Sequence, residues 1–338
     1  VYKRQVYTIS LPHHLPRSPK TGTMDGARLV SIACLLCLRI ARTMETITFK
    51  DTRTTRRLLI ALAHPDDETY GPAGTILRYA NSGVAVHLIC ATRGEAGHVD
   101  PELLEGCDSL ADLRTGELLC AARHLGLAGL HLLDYRDSGM EGDPQNQDPA
   151  SLYQAPVDQV VEAITRLIRQ IRPQVVITFD RTGGYFHPDH VKMHAATTLA
   201  FHAAGDPGRF PGQLERGLAA YAPQKLYYTA FPRGMLKLLV KVLPLFRQDP
   251  AALGHNSDID LVRVAAEDQT VTTKINISKH FEAGRQAAQC YVSQNPAGGT
   301  HIPRIVGRWL FRHDRYARAV PSWRGGRIER DLFAGIDE

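Results

Sequence analysis

The stretch Leu58-Leu59-Ile60-Ala61-Leu62-Ala63-His64-Pro65-Asp66-Asp67-Glu68 places six apolar residues directly before a polar block that begins with a His-Pro pair. An apolar run of this length predicts a buried strand, and the Pro and acidic residues after it predict the first turn of a helix. A second stretch repeats the design, since Gln174-Val175-Val176-Ile177-Thr178-Phe179 is followed by His187-Pro188-Asp189-His190. Imidazole and carboxylate groups can hold a catalytic zinc ion with one position open for water. The two blocks together predict a divided metal site.

Strand and helix patterns alternate along the chain from these stretches outward. The strand patterns cover residues 58–63, 84–90, 130–133, 174–179, 225–229 and 272–277. The helix patterns cover residues 72–81, 110–125, 157–171, 188–204 and 279–294. Such alternation predicts an α/β fold with a doubly wound, mostly parallel sheet. We expect a single domain with helical and loop additions at its C-terminal end.

Both His-Pro blocks lie just beyond the predicted carboxyl end of a strand. In open α/β sheets, ligands bind in the crevice at these ends, so the two blocks are expected to meet in one pocket. A structural explanation also exists, because Pro and acidic residues commonly begin a helix. Two such blocks at equivalent strand ends, with His at both ends of the second, favour the metal site.

The net charge of the chain is unevenly distributed. Residues 1–57 carry eleven Lys and Arg against three Asp and Glu, and the remaining residues carry 29 basic against 32 acidic side chains. The folded part is therefore not a basic nucleic-acid-binding protein. The six cysteines are scattered, which favours reduced thiols in a cytoplasmic protein over a disulfide framework. Sequence signatures of serine hydrolases, P-loop nucleotide hydrolases and dinucleotide-binding enzymes are absent.

The first 43 residues are expected to be an extension, disordered or not native, outside the domain at 44–338. They lack a periodic pattern, and the apolar stretch Leu29–Ile40 is shorter than the ~20 residues of a membrane span. A signal-peptide core and a lipid-modified Cys34 are alternatives, but the preferred interpretation is that Met44 is the true start. The core of the domain is expected at about 57–294.

The sequence Ala63-His-Pro-Asp-Asp-Glu68 and the later Gly183-Gly-Tyr-Phe-His-Pro-Asp-His190 resemble the two signature motifs of the PIG-L/LmbE-like zinc-dependent de-N-acetylases. The resemblance extends over roughly Arg57 to Gln294. It implies a Rossmann-like fold and removal of the acetyl group from an N-acetylglucosamine conjugate. It also implies one zinc ion per chain, or another divalent metal, held by His64, Asp67 and His190.

The resemblance assigns roles to further residues. The implied catalytic residues are Asp66 as general base, His187 to steady the oxyanion, Asp189 to orient His187, and Tyr185 at the substrate carbonyl. The segment Thr92-Arg93-Gly94-Glu95 resembles, more loosely, the part of the family that lines the sugar pocket, so Arg93 and Glu95 are expected to bind substrate.

The residues themselves fit amide hydrolysis. An amide is a poor electrophile and water a poor nucleophile, so a metal that polarises both and a neighbouring carboxylate that takes a proton are what the reaction needs. The adjacent Asp66 and Asp67 can divide these roles, because adjacent side chains cannot both point the same way.

Two other functions use the same residues: a metal-dependent phosphoester hydrolase, and a non-catalytic sugar-conjugate binding module with a structural zinc. The apolar and basic stretch Phe231–Phe246 is expected to pack on the core or at a subunit interface, with a lid or apolar wall as the alternative. The expected partner is a small glycoconjugate substrate. The protein itself is expected to have no stable membrane span and to bind no nucleic acid. The aglycone and a homo-oligomeric state stay open.

Overall fold

Eight strands form one mixed sheet in the computed structural model, which describes residues 46–49, 54–231, 233–253, 259–267, 269–294, 307–308 and 311–336. In chain order they are β1 (Thr46–Thr48), β2 (Arg57–Leu62), β3 (Ala85–Thr92), β4 (Gly129–Tyr135), β5 (Val175–Thr178), β6 (Lys225–Thr229), β7 (Thr273–Asn276) and β8 (His313–Val320). Their order across the sheet is β1-β4-β3-β2-β5-β6-β8-β7. The five central strands, β4-β3-β2-β5-β6 in sheet order, pair in parallel. Antiparallel pairs add β1 at one edge and β8 and then β7 at the other. The predicted α/β fold with a mostly parallel sheet is confirmed.

The helices connect these strands and pack in two groups. They are α1 (Asp67–Tyr70), α2 (Ala73–Asn81), α3 (Leu110–Leu125), α4 (Val157–Ile171), α5 (Pro188–Ala203), α6 (Pro211–Glu215), α7 (Arg233–Val242), α8 (Leu261–Ala266) and α9 (Phe281–Ala288). Helix α4 packs on α5, whereas α2, α3 and α9 pack on one another. Since the chain reverses its progress across the sheet after β4, right-handed connections place the two groups on opposite faces.

Strand β2 lies at the point where the strand order reverses. From β2 the chain moves to β3 and β4 on one side, and it then returns to β5 on the other, where Ile60 is paired with Ile177. Every residue of Leu58–Leu62 is at most 1% exposed, because helices cover both faces of the strand. Ligands bind beyond the strand ends at such a switch point. The two His-Pro blocks follow β2 and β5 and are therefore neighbours.

Most predicted elements are present with small shifts at their ends, and the sheet is wider than expected. Helices α3 and α4 and strand β6 have the predicted bounds. Strands β1 and β8 lie outside the expected core of 57–294, and neither was predicted. In β8, one of eight residues is buried, so its sequence does not show the apolar run of a central strand. The helix expected at 279–294 is shorter, at Phe281–Ala288.

The expectation that all cysteines are reduced thiols is wrong for one pair. A disulfide joins Cys120 of α3 to Cys290, which follows α9, while Cys90 and Cys107 are free. The two residues are 170 positions apart, and only the packing of α9 on α3 brings them together. The spacing of the cysteines along the sequence therefore could not predict this disulfide.

The structure leaves several expectations untested. The extension at 1–43 lies outside the described residues, and so do parts of the C-terminal region between 295 and 310. Within the described ranges, every helix is too short or too polar to cross a bilayer. Leu236 and Val240 of the stretch Phe231–Phe246 pack with Tyr185, Phe186 and α8, whereas Leu245 and Phe246 are exposed.

Tyr316 tests the contribution of β8 to the core. Its side chain is 1% exposed and its hydroxyl donates to Thr75 Oγ1 at 2.8 Å, so Tyr316→Ala should lower the free energy of unfolding by about 3 kcal/mol or more. Tyr153→Ala is the matched control, because that side chain is 49% exposed, and it should cost less than about 1 kcal/mol. Urea unfolding curves measure both. Equal effects of the two substitutions would show that β8 adds little to the core.

Candidate metal centre and active site

The first side of the site is the turn that follows β2. The Asp67 carboxylate folds back and accepts from the backbone N–H groups of His64 at 2.8 Å and Ala63 at 3.2 Å. These hydrogen bonds fix the carboxylate and position the His64 ring at the end of the strand. His64 is buried, with a side chain that faces the second block.

The second side is the loop between β5 and α5. Asp180 organises this loop, because its Oδ1 accepts from the backbone N–H groups of Thr182 and Gly184 at 3.0 and 2.8 Å. Gly183 has φ +61, and a Cβ atom there would overlap the Cβ of His190. The Gly183 carbonyl accepts from Nδ1 of His190 at 2.8 Å. The absence of a side chain at 183 thus lets the backbone approach and orient the histidine.

The two sides meet in a buried cluster of donor atoms. Nδ1 of His64 lies 3.1 Å from Nε2 of His190, and Oδ1 of Asp67 lies 3.3 Å from the same Nε2. Nδ1 of His64 is also 3.7 Å from Oδ2 of Asp67. The three residues that the sequence predicted as metal ligands are therefore within reach of one ion. His187 lies beside them, with ligand atoms of His64, His187 and His190 within 4.8 Å of one another.

The hydrogen bonds around the two rings fit a cation between them. The carboxylates of Asp137 and Asp189 are acceptors at 3.4 and 3.2 Å from Nε2 of His64, so that nitrogen carries a proton. The Gly183 carbonyl likewise requires a proton on Nδ1 of His190. In the neutral rings, the remaining nitrogens therefore face each other with lone pairs, an arrangement that a bound cation would stabilise.

The pKa values of His64 and Asp67 also indicate that the cluster favours positive charge. Burial lowers the pKa of His64, but the adjacent carboxylates Asp137, Asp189 and Asp67 outweigh it and hold that pKa well above the usual value. Burial raises the pKa of Asp67, but His190 and His64 outweigh this effect and hold it well below the usual range. Without a metal ion, a proton on His64 supplies the positive charge that these carboxylates require.

Asp66 is held in a strained backbone conformation at the edge of the cluster. Its φ of +108 is rare for a residue with a side chain, and such strain is often found at functional positions. Arg114 of α3 stabilises it by donating to Oδ2 of Asp66 at 3.0 Å and to the Pro65 carbonyl at 2.6 Å. Burial raises the pKa of Asp66 to about 7, against the attraction of Arg114. Asp66 lines the open cavity next to the predicted metal ligand His64.

A cavity of about 610 Å³ opens onto the cluster. Its size is in the range of small-molecule binding sites. The lining is rich in polar side chains that offer hydrogen bonds, and it includes His64, Asp66, His98, Asp100, Arg114, Asp137, Asp143, Tyr185, His187, Ser293 and Gln294. The site thus combines metal-ligating residues, a carboxylate and a polar pocket.

Comparisons with known proteins agree with this site. The family model described as PIG-L: GlcNAc-PI de-N-acetylase matches residues 59–201, which include both motifs. A 1D-myo-inositol 2-acetamido-2-deoxy-alpha-D-glucopyranoside deacetylase of Thermobifida fusca is 38% identical over 256 residues, covering 73% of this chain and 86% of the relative. The chain belongs to the PIG-L family. A deacetylase of the same name from Geodermatophilus obscurus is 35% identical and covers 83% of this chain and 98% of its own length.

The fold of the PIG-L chain also has a solved counterpart. A conserved protein of Thermus thermophilus aligns with a TM-score of 0.50 at 20% identity, covering 79% of this chain and 95% of its own. That likeness supports the Rossmann-like α/β fold alone. The family match and the relatives' names agree on the activity class, so the chain is a deacetylase, a hydrolase of amide bonds. Both the family and the activity class were predicted from the sequence.

The contacts of Asp189 differ from the role expected for it. Its carboxylate accepts from the Ser138 hydroxyl, and from the Ser138 N–H at 3.0 Å, in addition to its contact with His64. Its backbone N–H, not its carboxylate, bonds Nδ1 of His187 at 3.2 Å. Asp189 therefore orients His64 through its carboxylate and His187 only through its backbone. Since Nδ1 of His187 accepts, its Nε2 carries the proton and is a donor.

The expectation that Arg93 and Glu95 bind substrate stays a prediction. Neither residue lines the cavity. Arg93 donates to Oδ1 of Asp134 at 2.7 Å, because β4 ends next to β3 and presents this carboxylate to it. Glu95 accepts from the backbone N–H of Asp137 at 3.1 Å and so supports the loop after β4.

Arg114 and Asp137 also belong to the site and were not predicted from the sequence. Asp137 follows β4, another carboxyl end of a parallel strand, so the rule that identified the two motifs could have found it. The predicted strand at 130–133 ended too early to show this position. Arg114 lies in the first half of α3 with 4% exposure, and no pattern in the sequence distinguishes it from a surface arginine. The rings of His87 and His131 stack on each other in the sheet, outside the cavity lining.

The metal-ligand assignment makes a direct prediction. Replacing His190 by Ala removes the nitrogen that faces both His64 and Asp67, so the zinc content of the oxidised chain, with the Cys120–Cys290 disulfide intact, should fall from about one ion per chain to near zero. His194→Ala is the matched control one helical turn further on, because its Nδ1 bonds the Phe179 carbonyl and lies outside the cluster. Elemental analysis of both purified variants measures the difference. Normal zinc in the His190 variant would refute the assignment.

Proposed function

We propose that this deacetylase is zinc-dependent and removes the acetyl group from an N-acetylglucosamine conjugate whose aglycone is inositol, as in the names of its relatives. The observation that carries the proposal is the cluster of His64, Asp67 and His190 beside the carboxylate of Asp66, open to a polar cavity. We also propose that the protein acts in the cytoplasm. Its substrate would be a small glycoconjugate, bound beside the metal.

The donor set fits zinc. His64, Asp67 and His190 would hold the ion through two imidazole nitrogens and a carboxylate oxygen, which leaves a position for water and substrate. The same donors accept other divalent metals, so the choice of zinc belongs to the proposal. When bound, the ion would supply Lewis-acid polarisation of the acetamide carbonyl and of a water molecule. Asp189 and Gly183 orient the two rings toward the ion from outside.

Asp66 is the group best placed to accept a proton from the attacking water. Its carboxylate borders the cavity next to the metal ligands, and Arg114 fixes one of its oxygens. The backbone N–H of Asp66 also donates to Glu68 Oε2 at 3.2 Å, and Tyr291 donates to Glu68 Oε1 at 2.6 Å. This framework holds the base in place, so little reorganisation is needed when a proton moves.

His187 and Tyr185 come from the second motif and line the same cavity as Asp66. Burial lowers the pKa of His187 well below its usual value, and the neighbouring His64 and His190 lower it further. The neutral ring donates through Nε2, which suits stabilisation of a developing oxyanion. The ring of Tyr185 meets that of His187 edge to face, with centroids 6.0 Å apart, and its place in the cavity wall supports a role at the substrate carbonyl.

The lining of the cavity favours a sugar over a phosphoester. Among the described residues that line it, four are aspartates and one is an arginine, and Arg114 is already paired with Asp66. The four aspartates would repel a negatively charged phosphate ester. Carboxylates, amides and hydroxyls instead form hydrogen bonds with the hydroxyl groups of a sugar or a polyol. Asp137, Asp143 and Gln294 offer such groups.

An assay of acetate release tests the proposal. The full chain, loaded with zinc, should release acetate from 1D-myo-inositol 2-acetamido-2-deoxy-alpha-D-glucopyranoside, and removal of the metal by a chelator should stop it. Free N-acetylglucosamine, which lacks the inositol half, should be a poorer substrate. Release of phosphate from a sugar phosphate without any release of acetate would favour the phosphoester hydrolase. Tight binding without turnover would favour the binding module.

Asp66→Asn separates metal binding from chemistry. The amide cannot accept a proton, so kcat should fall by ~10²–10⁴ while zinc content and the melting temperature stay close to those of the parent. Asp100→Asn is the control, because Asp100 lines the same cavity at an exposed position and Asn also caps a helix well. It should retain activity within a few-fold. A comparable activity of the Asp66 variant would place the base elsewhere.

A further inference from the structure

Cys120, His124 and Cys290 form a second group of ligand atoms outside the catalytic cluster. Cys120 and His124 are four residues apart on α3, so their side chains lie on the same face of the helix one turn apart. Cys290 comes from the segment after α9, and one donor atom from each of the three residues lies within 4.8 Å of the others. A group from two separate elements with this spacing is not explained by the deacetylase chemistry.

The chemistry of the three side chains depends on the state of the two sulfurs. As a disulfide, Cys120 and Cys290 cross-link α3 to the segment after α9. As thiolates, the same two sulfurs and the His124 imidazole are soft and borderline donors of the kind that bind zinc tetrahedrally, with a water as fourth ligand. We propose that Cys120, His124 and Cys290 form a redox-switched metal site, a disulfide when oxidised and a zinc-type cation site when reduced.

The interconversion is balanced with a thiol as reductant. Two equivalents of a small thiol reduce the bond, which yields the Cys120 and Cys290 thiols and one disulfide of the small thiol. Binding of the divalent cation then releases the two thiol protons, since thiolates are the ligands. Cys120 is partly exposed and His124 is exposed, so both reductant and metal can reach the site from solvent.

The backbone positions suit both states. The Cα atoms of Cys120 and Cys290 are 5.8 Å apart. Two sulfurs on one zinc ion, each at ~2.3 Å, are about 3.7 Å apart in a tetrahedral site, a separation that side-chain rotation can reach from this spacing. Neither state requires α9 to leave α3.

The site lies on the contact that holds one wall of the catalytic cavity. One turn before Cys120, Glu117 accepts from the backbone N–H and the hydroxyl of Ser293 at 2.8 and 2.6 Å. Ser293 and Gln294 line the cavity, and Tyr291 binds Glu68 beside the first motif. Both the disulfide and a bound cation would keep residues 290–294 on α3. Reduction without a metal would release that link.

Cobalt binding by the full chain tests the proposal, because thiolate ligands give Co²⁺ a near-ultraviolet charge-transfer absorption that imidazole and carboxylate ligands do not. After removal of metal, the chain reduced with a phosphine should bind about two Co²⁺ ions and show this absorption, and the oxidised chain should bind about one without it. Added Zn²⁺ should displace the cobalt and remove the band. Absence of the band from the reduced chain would overturn the proposal.

Variants assign the band to individual residues. Cys290→Ser and Cys120→Ser should each abolish it, and His124→Ala should weaken cobalt affinity at the site by about tenfold or more. Cys107→Ser is the matched control for a free cysteine and should keep the band. His190→Ala should lose the catalytic ion and keep the band, which separates this proposal from the proposed function. Persistence of the band in Cys290→Ser would refute the assignment.

Discussion

The parallel pairing of β2 with β5 is the constraint on which the site depends. Three paired positions, from Leu58 with Val175 to Ile60 with Ile177, place the ends of two strands side by side although they are more than one hundred residues apart. The paired residues of both strands are fully buried, so a shift in register would move apolar side chains out of the core at a large cost. The position of His64 relative to His190 is thus fixed by the hydrophobic core rather than by the site itself.

Polar contacts then refine what the sheet brings together. A carbonyl orients His190, carboxylates orient His64, and backbone N–H groups fix Asp67. These partners lie in a buried environment, so the hydrogen bonds are strong and the loss of one would leave an unpaired polar group. The neighbouring carboxylates favour positive charge in the cluster, since they hold the pKa of His64 well above its usual value despite burial.

The strained backbone of Asp66 shows how the first motif separates two neighbouring carboxylates. With φ of +108, the chain turns between Asp66 and Asp67, which directs one side chain toward the cavity and the other toward the two histidines. Arg114 and Glu68 both hold this conformation through hydrogen bonds to Asp66. The proposed metal ligand and the proposed proton acceptor are thus adjacent in sequence but have different surroundings.

The packing of α9 on α3 is a second long-range contact that brings the C-terminal part of the chain to the site. Helix α3 carries Arg114, Glu117 and Cys120 along one side, and each contacts a different part of the molecule: the first motif, the cavity wall and the disulfide. One helix thus contacts Asp66, the cavity wall and the segment after α9.

The sequence by itself determined the alternation of strands and helices and the two His-Pro blocks, because these are local patterns that one segment carries alone. The resemblance of those blocks to the family motifs then implied the family and the candidate ligands His64, Asp67 and His190. The tertiary structure decided the rest. The Cys120–Cys290 bond, the role of Arg114 and the edge strand β8 depend on contacts between residues far apart in the chain. The hydrogen-bond partners of Arg93 and Glu95 also come from a distant segment, since Asp134 and Asp137 lie on the neighbouring strand and the loop after it.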